Sequence, residues 1–355
     1  MKSKVYFTPV KDSNNAGDAA AKLKKLIDKS GVIDVVGREN KVAVKIHFGE
    51  KGSTGYVRPG FARVVCDSIT AKGAVPYLVD TNTLYRGHRT NSKDHIETAR
   101  EHGFTKDSTG ARIVIPDDGK KDDVADVKIK GKVIQSAKVA RFFIDAGAII
   151  AISHFKGHIL TGFGGALKNI GMGCATREGK LAQHCDASPV FYEEKCKGCG
   201  ACEAICPAGA IHVENDKASL DRSKCIGCAE CIAACPAAAM FIDFGVGSAV
   251  QEKMVEYAAA VLNNKNGRLG FLNFALRIHQ ECDCWGEETP RISPDVGILA
   301  SADPVAIDKA SFDLVKGVCG KDVFKEAHPN QDGMIQLEYA ESLGLGSLDY
   351  ELVSL

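Results

Sequence analysis

The sequence predicts an α/β fold, with a mostly parallel sheet, helices on both faces and a small α+β domain inserted into it, on three observations. Apolar, β-branched runs alternate with helix-period segments along most of the chain. The same alternation brackets a cysteine-rich segment, running up to it and resuming after it. That segment has a pattern of its own, built from cysteine, glycine and proline. The expected division is residues 1–188 and 244–355 for the two parts of the α/β host and 189–243 for the insert.

The elements follow in order. "DAAAKLKKLIDKSG" (18–31) reads as a helix, followed by the strand "KVAVKIHF" (41–48). The helix "GFARVVCDSITAKG" (60–73) leads to the strand "AVPYLVD" (74–80). "SKDHIETAREHG" (92–103), with Ser92 as N-cap and Gly103 as C-cap, leads to "ARIVIP" (111–116). "VKIKGKVIQ" (127–135) reads as a hairpin, and "RFFIDAGAIIAISHF" (141–155) ends in a buried strand. After the insert come the helix "AVQEKMVEYAAAVLNNK", the strands "RLGFLNFAL" and "VGILAS", and a helix opened by "ADPVAIDKASFDLVKG". In that last helix Asp303 is placed as N-cap and Pro304 in the first turn.

Lys plus Arg and Asp plus Glu number 45 each, so the bulk charge gives no support to nucleic acid or an anionic membrane as partner. The start "MKSKVYFTPV" has no apolar leader core, and runs such as "AGAIIAI" fall far short of a membrane span. A cytoplasmic protein with no membrane span is expected. Of the fourteen cysteines eight form a regular ligand pattern, which favours a reducing compartment and an anaerobic or microaerobic setting over a disulfide scaffold.

That pattern is C-x2-C-x2-C-x3-C-P, given by Cys196, Cys199, Cys202, Cys206 and Pro207 and again by Cys225, Cys228, Cys231, Cys235 and Pro236. Three thiolates at this spacing wrap one face of an iron-sulfur cubane, and the fourth, after a proline turn, reaches across to the other cluster. Two [4Fe-4S] clusters are therefore expected, one on Cys196, Cys199, Cys202 and Cys235, the other on Cys225, Cys228, Cys231 and Cys206. Gly198, Gly200 and Gly227 let amides approach cluster sulfurs, and "AIHVENDKASLD" supplies a connecting hairpin. Paired zinc knuckles would explain neither the third cysteine nor the prolines. The segment resembles the bacterial two-cluster ferredoxin domain, which implies single-electron transfer and a redox partner protein.

Ligands of open parallel sheets bind beyond the carboxyl ends of strands, so polar residues there are the candidates. The first strand end offers Lys45 and His47, followed by a glycine-rich loop with Arg58. The second runs from Asp80 into "TNTLYRGHR", with Asn82, Thr83, Tyr85, Arg86 and Arg89. The third is "SHFKGHILTGFGGALKNIGMGC" (153–174). There Gly164 and Gly165 stand where a helix could begin, so that their amides, with Lys168 and Asn169, would cradle an anion. His154, His158 and His47 are the candidates for proton transfer, and Lys45, Arg86, Gly164, Gly165, Lys168 and Asn169 for holding a small anionic ligand or cofactor. Against this stand structural histidines, glycines that only permit turns, and a solvated arginine loop. Cys66 and Cys319 read as inert apolar residues. In "HQECDCW", His279, Cys282 and Cys284 are candidate ligands for an additional metal, with Cys174 or Cys185 as fourth, against a redox-active or merely buried pair.

Taken together, "KIHFGE", "DTNTLYRG", "SHFKGHILTGFGGALKNIGMGC", the cluster motifs, "ECDC" and "ADPVAIDKAS" resemble the iron-sulfur family called domain of unknown function 362, in its form with an inserted ferredoxin domain. "HILTGFGGALKNIGMG" is also similar to a motif of the lactate racemase N-terminal domain, which would match His158 or His154 to a catalytic histidine and Lys168 to a substrate-side lysine. The expected function is an iron-sulfur oxidoreductase passing low-potential electrons to an anionic ligand in the host pocket. The alternatives are a ferredoxin-like shuttle or redox sensor docked on a partner, and a metal-dependent isomerase related to the racemase.

Overall fold

The structure, a computed structural model, describes residues 2–38, 40–85, 87–117, 121–184, 189–241 and 249–355. Among these an eight-stranded sheet forms from β1 (Ser3–Pro9), β2 (Lys41–Lys45), β3 (Val75–Val79), β4 (Arg112–Val114), β5 (Ala148–His154), β6 (Leu269–Ala275), β7 (Gly297–Ser301) and β8 (Tyr350–Ser354). The spatial order is β8-β1-β7-β6-β5-β2-β3-β4. All neighbours run parallel except β7, which is antiparallel to both β1 and β6. The sheet is thus mostly parallel. Its centre reads as continuous apolar sequence because both faces are covered, and all seven residues of β5 are buried.

Successive residues of a strand face opposite layers, and the two cores divide accordingly. On one side α1 (Ala16–Ser30) and α2 (Pro59–Ala71) lay Leu23, Leu26, Ile27, Phe61, Val65 and Ile69 over Val44, Ile150 and Leu272. On the other, α3 (Val250–Lys265) and α4 (Pro304–Cys319) cover Ala43, Ile149 and Phe271 with Met254, Val261, Ile307 and Phe312. Each fully buried leucine of this kind contributes about 2 kcal/mol. Helix ends follow local chemistry. Asn15 accepts from the Asp18 amide, Asp303 from those of Val305 and Ala306, and Gly31 and Gly320 end α1 and α4 with φ of +66° and +69°.

Several boundaries differ from expectation. The helix Ser92–Glu101 is capped by Asn91, whose side chain accepts from Asp94 N, while the Ser92 hydroxyl turns inward to Ile115 O. Its C-cap is His102, with Gly103 one residue on at φ +85°. The hairpin expected at 127–135 has its strands at Val124–Lys128 and Ser136–Ala140, so most of the expected stretch is the connecting loop. Arg141–Asp145 is a short helix that precedes β5. Strands β1 and β8 were not anticipated. β8 is mostly half-exposed or exposed and pairs only with β1, so it lacks the apolar signature of the centre.

The strand order reverses between β2 and β5: β2, β3 and β4 extend one way, β5 and β6 the other. The crevice outside their carboxyl ends is the topological switch point, where ligands of such sheets bind. Lys45, His47, Ser153 and His154 stand there.

Candidate functional site

Within 189–241 the helices Ala201–Ile205 and Glu230–Ala234 start after Gly200 and Ala229, both at positive φ, and a hairpin, Ile211–Glu214 with Lys217–Leu220, lies between the two motifs. Cys206 and Cys235 follow directly on the ends of these helices in extended backbone, each before a proline, so their thiols leave the helix axis. One small cavity is lined by Cys196, Cys199, Cys202 and Cys235 among others. A second is lined by Cys206, Cys225, Cys228 and Cys231 among others. Backbone amides of Ala210, Ala218 and Ala239 donate to the sulfurs of Cys206, Cys196 and Cys235 at 3.3, 3.4 and 3.2 Å. Burial and the neighbouring thiols raise Cys231 to about 12, and burial also raises Cys202 and Cys228. Thiols crowded in this way ionise together only around a cationic core. Among the described residues no three His, Cys, Asp or Glu side chains converge on the position of a single metal ion. The thiols instead border the two cavities.

The host touches this segment directly. Leu84 and Leu181 share an apolar cluster with Cys202, Cys231, Ile211 and Met240, and Tyr85 packs on it. Arg177 lies 3.3 Å from Glu230. Tyr85 Oη in turn donates to Cys284 O at 3.4 Å, which links the cysteine segment to the strand ends.

At the ends of β2 and β3 the polar residues form a closed, charge-paired network. Lys45 Nζ sits 3.0 Å from Asp80 and donates to Asn169 Oδ1 at 2.8 Å. Asn169 Nδ2 donates to Ile152 O and Ser153 Oγ. Burial opposes ionisation of Asp80, but Lys45, His95 and His47 outweigh it and hold the carboxyl well below its usual range. Arg89 Nη1 lies 2.9 Å from His47 Nε2, and its Nε donates to Glu50 at 3.3 Å. Burial and Arg89 hold His47 well below its ordinary value, so a neutral ring faces the guanidinium. Lys45 and Asn169, expected to bind a ligand, thus spend their hydrogen bonds on each other and on the strand ends. Arg86 and Cys185 lie outside the described residues.

The stretch 153–174 folds as the end of β5, a small ladder (Lys156–His158 with Gly162–Gly164) and a helix, Ala166–Gly171. His154 does not have a free nitrogen. Nδ1 contacts Asp283 at 2.8 Å and Nε2 contacts Leu276 O at 2.9 Å. Although burial opposes it, His154 and Lys156 hold Asp283 well below the usual carboxylate range. Both ring nitrogens of His154, expected to carry protons, are thus engaged by the chain itself. His158 is different: Leu160 N donates to Nδ1 at 3.2 Å, which leaves the ring proton on Nε2, and burial, Lys168 and Lys156 keep the ring neutral. Lys156 Nζ donates to His154 O, and the Lys168 side chain has no hydrogen-bond or ion-pair partner among the described residues.

The expected anion cradle at Gly164 and Gly165 is filled by the chain itself. Asp308 accepts from Ala166 N at 2.7 Å, Leu167 N at 2.9 Å and Asn273 Nδ2 at 2.7 Å. A Cβ at Gly165 would stand 2.2 Å from Asp308 Oδ1 and 2.9 Å from Phe155, so glycine serves the close approach of this carboxylate. Gly165→Ala is expected to lower stability by about 1–3 kcal/mol, read as a shifted urea midpoint; an unshifted midpoint would show that the cap has room.

The neighbouring Cys284 thiol, helped by Lys168 and Lys156 against burial, holds Cys282 well below its ordinary value. His279 donates from Nδ1 to Thr289 O at 2.6 Å. Asp308, Asp283 and His95 escaped the sequence reading. The one available signal was an aspartate at a core-facing position of the apolar segment "PVAIDKASF".

No curated protein matches the chain in sequence. Among solved structures, the lactate racemase apoprotein from Thermoanaerobacterium thermosaccharolyticum is similar at a TM-score of 0.40 and 11% identity, over 76% of this chain and 50% of that one. A Thermotoga maritima protein solved by a structural genomics consortium is similar at 0.40 and 14%, over 85% and 58%. The chain thus spans only 50% and 58% of the lengths of these two structures. Residues 42–313, most of the chain, match the sequence profile of the family described as domain of unknown function (DUF362), and the chain belongs to that family.

Proposed function

We propose that the protein is an iron-sulfur electron-transfer oxidoreductase with two [4Fe-4S] clusters, one on Cys196, Cys199, Cys202 and Cys235, the other on Cys225, Cys228, Cys231 and Cys206. The observation that supports it is the lining of the two cavities, three thiols from one motif and the fourth from the other. When bound, such clusters supply low-potential electrons one at a time. The chain's own residues do the rest. The amides of Ala210, Ala218 and Ala239 donate to thiolate sulfurs and so favour the reduced, more negative state. Leu84, Tyr85 and Leu181 seat the segment against the switch-point crevice, where a small anionic ligand or cofactor receives the electrons. Neutral His158, with its proton on Nε2, and unpaired Lys168 are the groups free to give a proton or hold charge there. Ile205 and Ile226, 44% and 56% exposed beside Cys206 and Cys225, offer a redox partner protein an apolar approach.

Anaerobic reconstitution tests the reading. About eight iron and eight sulfide per chain are expected, with a paramagnetic signal on dithionite reduction. About two zinc per chain without labile sulfide would overturn it. Among the described residues no helix is long and apolar enough to cross a membrane.

A further inference from the structure

A cavity of about 260 Å³ opens at the carboxyl end of β6, on the side of the sheet covered by α1 and α2. It lies just below the usual size of drug-sized sites and suits a small ligand. One wall is apolar, made by Val57, Phe61, Phe274 and Leu276. Arg58, Arg277 and His154 also line it. The charges around it do not balance. Arg58 lies over the Tyr56 ring and donates from Nη2 only to Thr54 O at 3.0 Å. Arg277 Nε is buried without a hydrogen-bond partner. The nearby carboxylates are engaged elsewhere: Asp295 accepts from Arg291 and from the amides of Ser13 and Arg277, and Glu288 accepts from Thr54. Burial, then Arg58 and Arg291, lower the pKa of Arg277 by more than Glu288 and Asp295 raise it, so like charge is held close here. The first turns of α1 and α2 reach the rim through Ala16 and Phe61, and Arg58, the N-cap of α2, makes no side-chain capping bond. Both helix ends add positive partial charge.

We propose that this cavity binds an organic anion, a carboxylate or phosphate monoester on an apolar body, with the acid group between Arg58 and Arg277 and the body against Phe61 and Phe274. Planar guanidinium forks match such oxyanions, and the apolar wall takes what inorganic anions lack. The site lies away from Gly164 and Gly165, beside which Asp308 already takes the amides of Ala166 and Leu167. The inference goes beyond the electron-transfer reading, whose ligand stands by His158 and Lys168, and binding here is measured separately from iron content.

The test is calorimetric titration of the full, anaerobically reconstituted chain with phenyl phosphate and with benzoate, against inorganic phosphate and phenol. Binding of one aromatic anion is expected, at least about tenfold tighter than phosphate or phenol, and weakened about tenfold in Arg58→Gln and in Arg277→Gln. Arg63→Gln, which alters an exposed pair with Asp67 on α2, leaves it unchanged. Whichever anion binds identifies the acid group. No binding of either anion, equal binding of inorganic phosphate, or affinity retained in both cavity variants would overturn the proposal. Circular dichroism checks folding, and Arg58→Gln decides alone if Arg277→Gln does not fold. Arginine-dependent binding in a chain that takes up no iron would remove the redox reading and keep the site; full iron without binding would do the reverse.

Discussion

Cys196→Ser combined with Cys235→Ser is expected to leave about four of about eight iron per chain, no fewer than either single variant. Cys196→Ser combined with Cys206→Ser is expected to leave almost none. The reason lies in the crossed lining: Cys196 and Cys235 border one cavity, whereas Cys206 borders the other with Cys225, Cys228 and Cys231. Were each motif to wrap its own cluster, the two double variants would exchange results. Iron and sulfide analysis after anaerobic reconstitution reads the outcome, with the visible absorbance falling by half or almost entirely in parallel. Both doubles keeping about half the iron, or both losing all of it, would defeat the crossed arrangement.

Lys45→Met is expected to cost about 3–5 kcal/mol at pH 7, because it strands Asp80 in the interior. Both partners are almost fully buried, at 1% and 4% side-chain exposure, and their atoms stand 3.0 Å apart. Arg89, 3.8 Å from the other carboxylate oxygen, compensates in part and sets the lower end of that range. The pH dependence fixes the mechanism. In the native protein the pKa of Asp80 lies well below its usual value, so its contribution is present above the unfolded pKa of about 4 and is lost as pH falls through the native one. Without Lys45 the native-state pKa of Asp80 rises, so the deficit of the variant shrinks as pH drops from about 7 toward 4. Urea unfolding across this range measures it, and Lys45→Met with Asp80→Asn should be less destabilised than Lys45→Met alone. A deficit independent of pH would assign the loss to packing of the lysine stem instead.

Much of the architecture was legible because it is written in short spacings. The alternation of β-branched runs and helical stripes predicts the parallel centre and the two helical layers. Asp303 and Pro304 mark the start of α4 by chemistry local to one turn. The Ser92 cap was misplaced for an equally local reason: two adjacent polar residues can cap, and Asn91 takes the role because the Ser92 hydroxyl finds a buried carbonyl on β4's flank. The edge strand β8 was not legible, since an edge with one neighbour needs no apolar repeat.

The sites divide along the same line. Cysteine spacing by itself divided eight thiols into two sets, and the same two sets line the two cavities. What the sequence could not determine is which polar residues remain free once the chain folds. Asp308 reaches the amides of Ala166 and Leu167 from more than 140 positions away, and His154 meets Leu276 and Asp283 from more than 120. Such partners carry no local signature. A buried polar group must be satisfied wherever its partner comes from, so tertiary packing alone decided that His154 and Gly165 are supports, and that Arg58 and Arg277 were left facing a cavity.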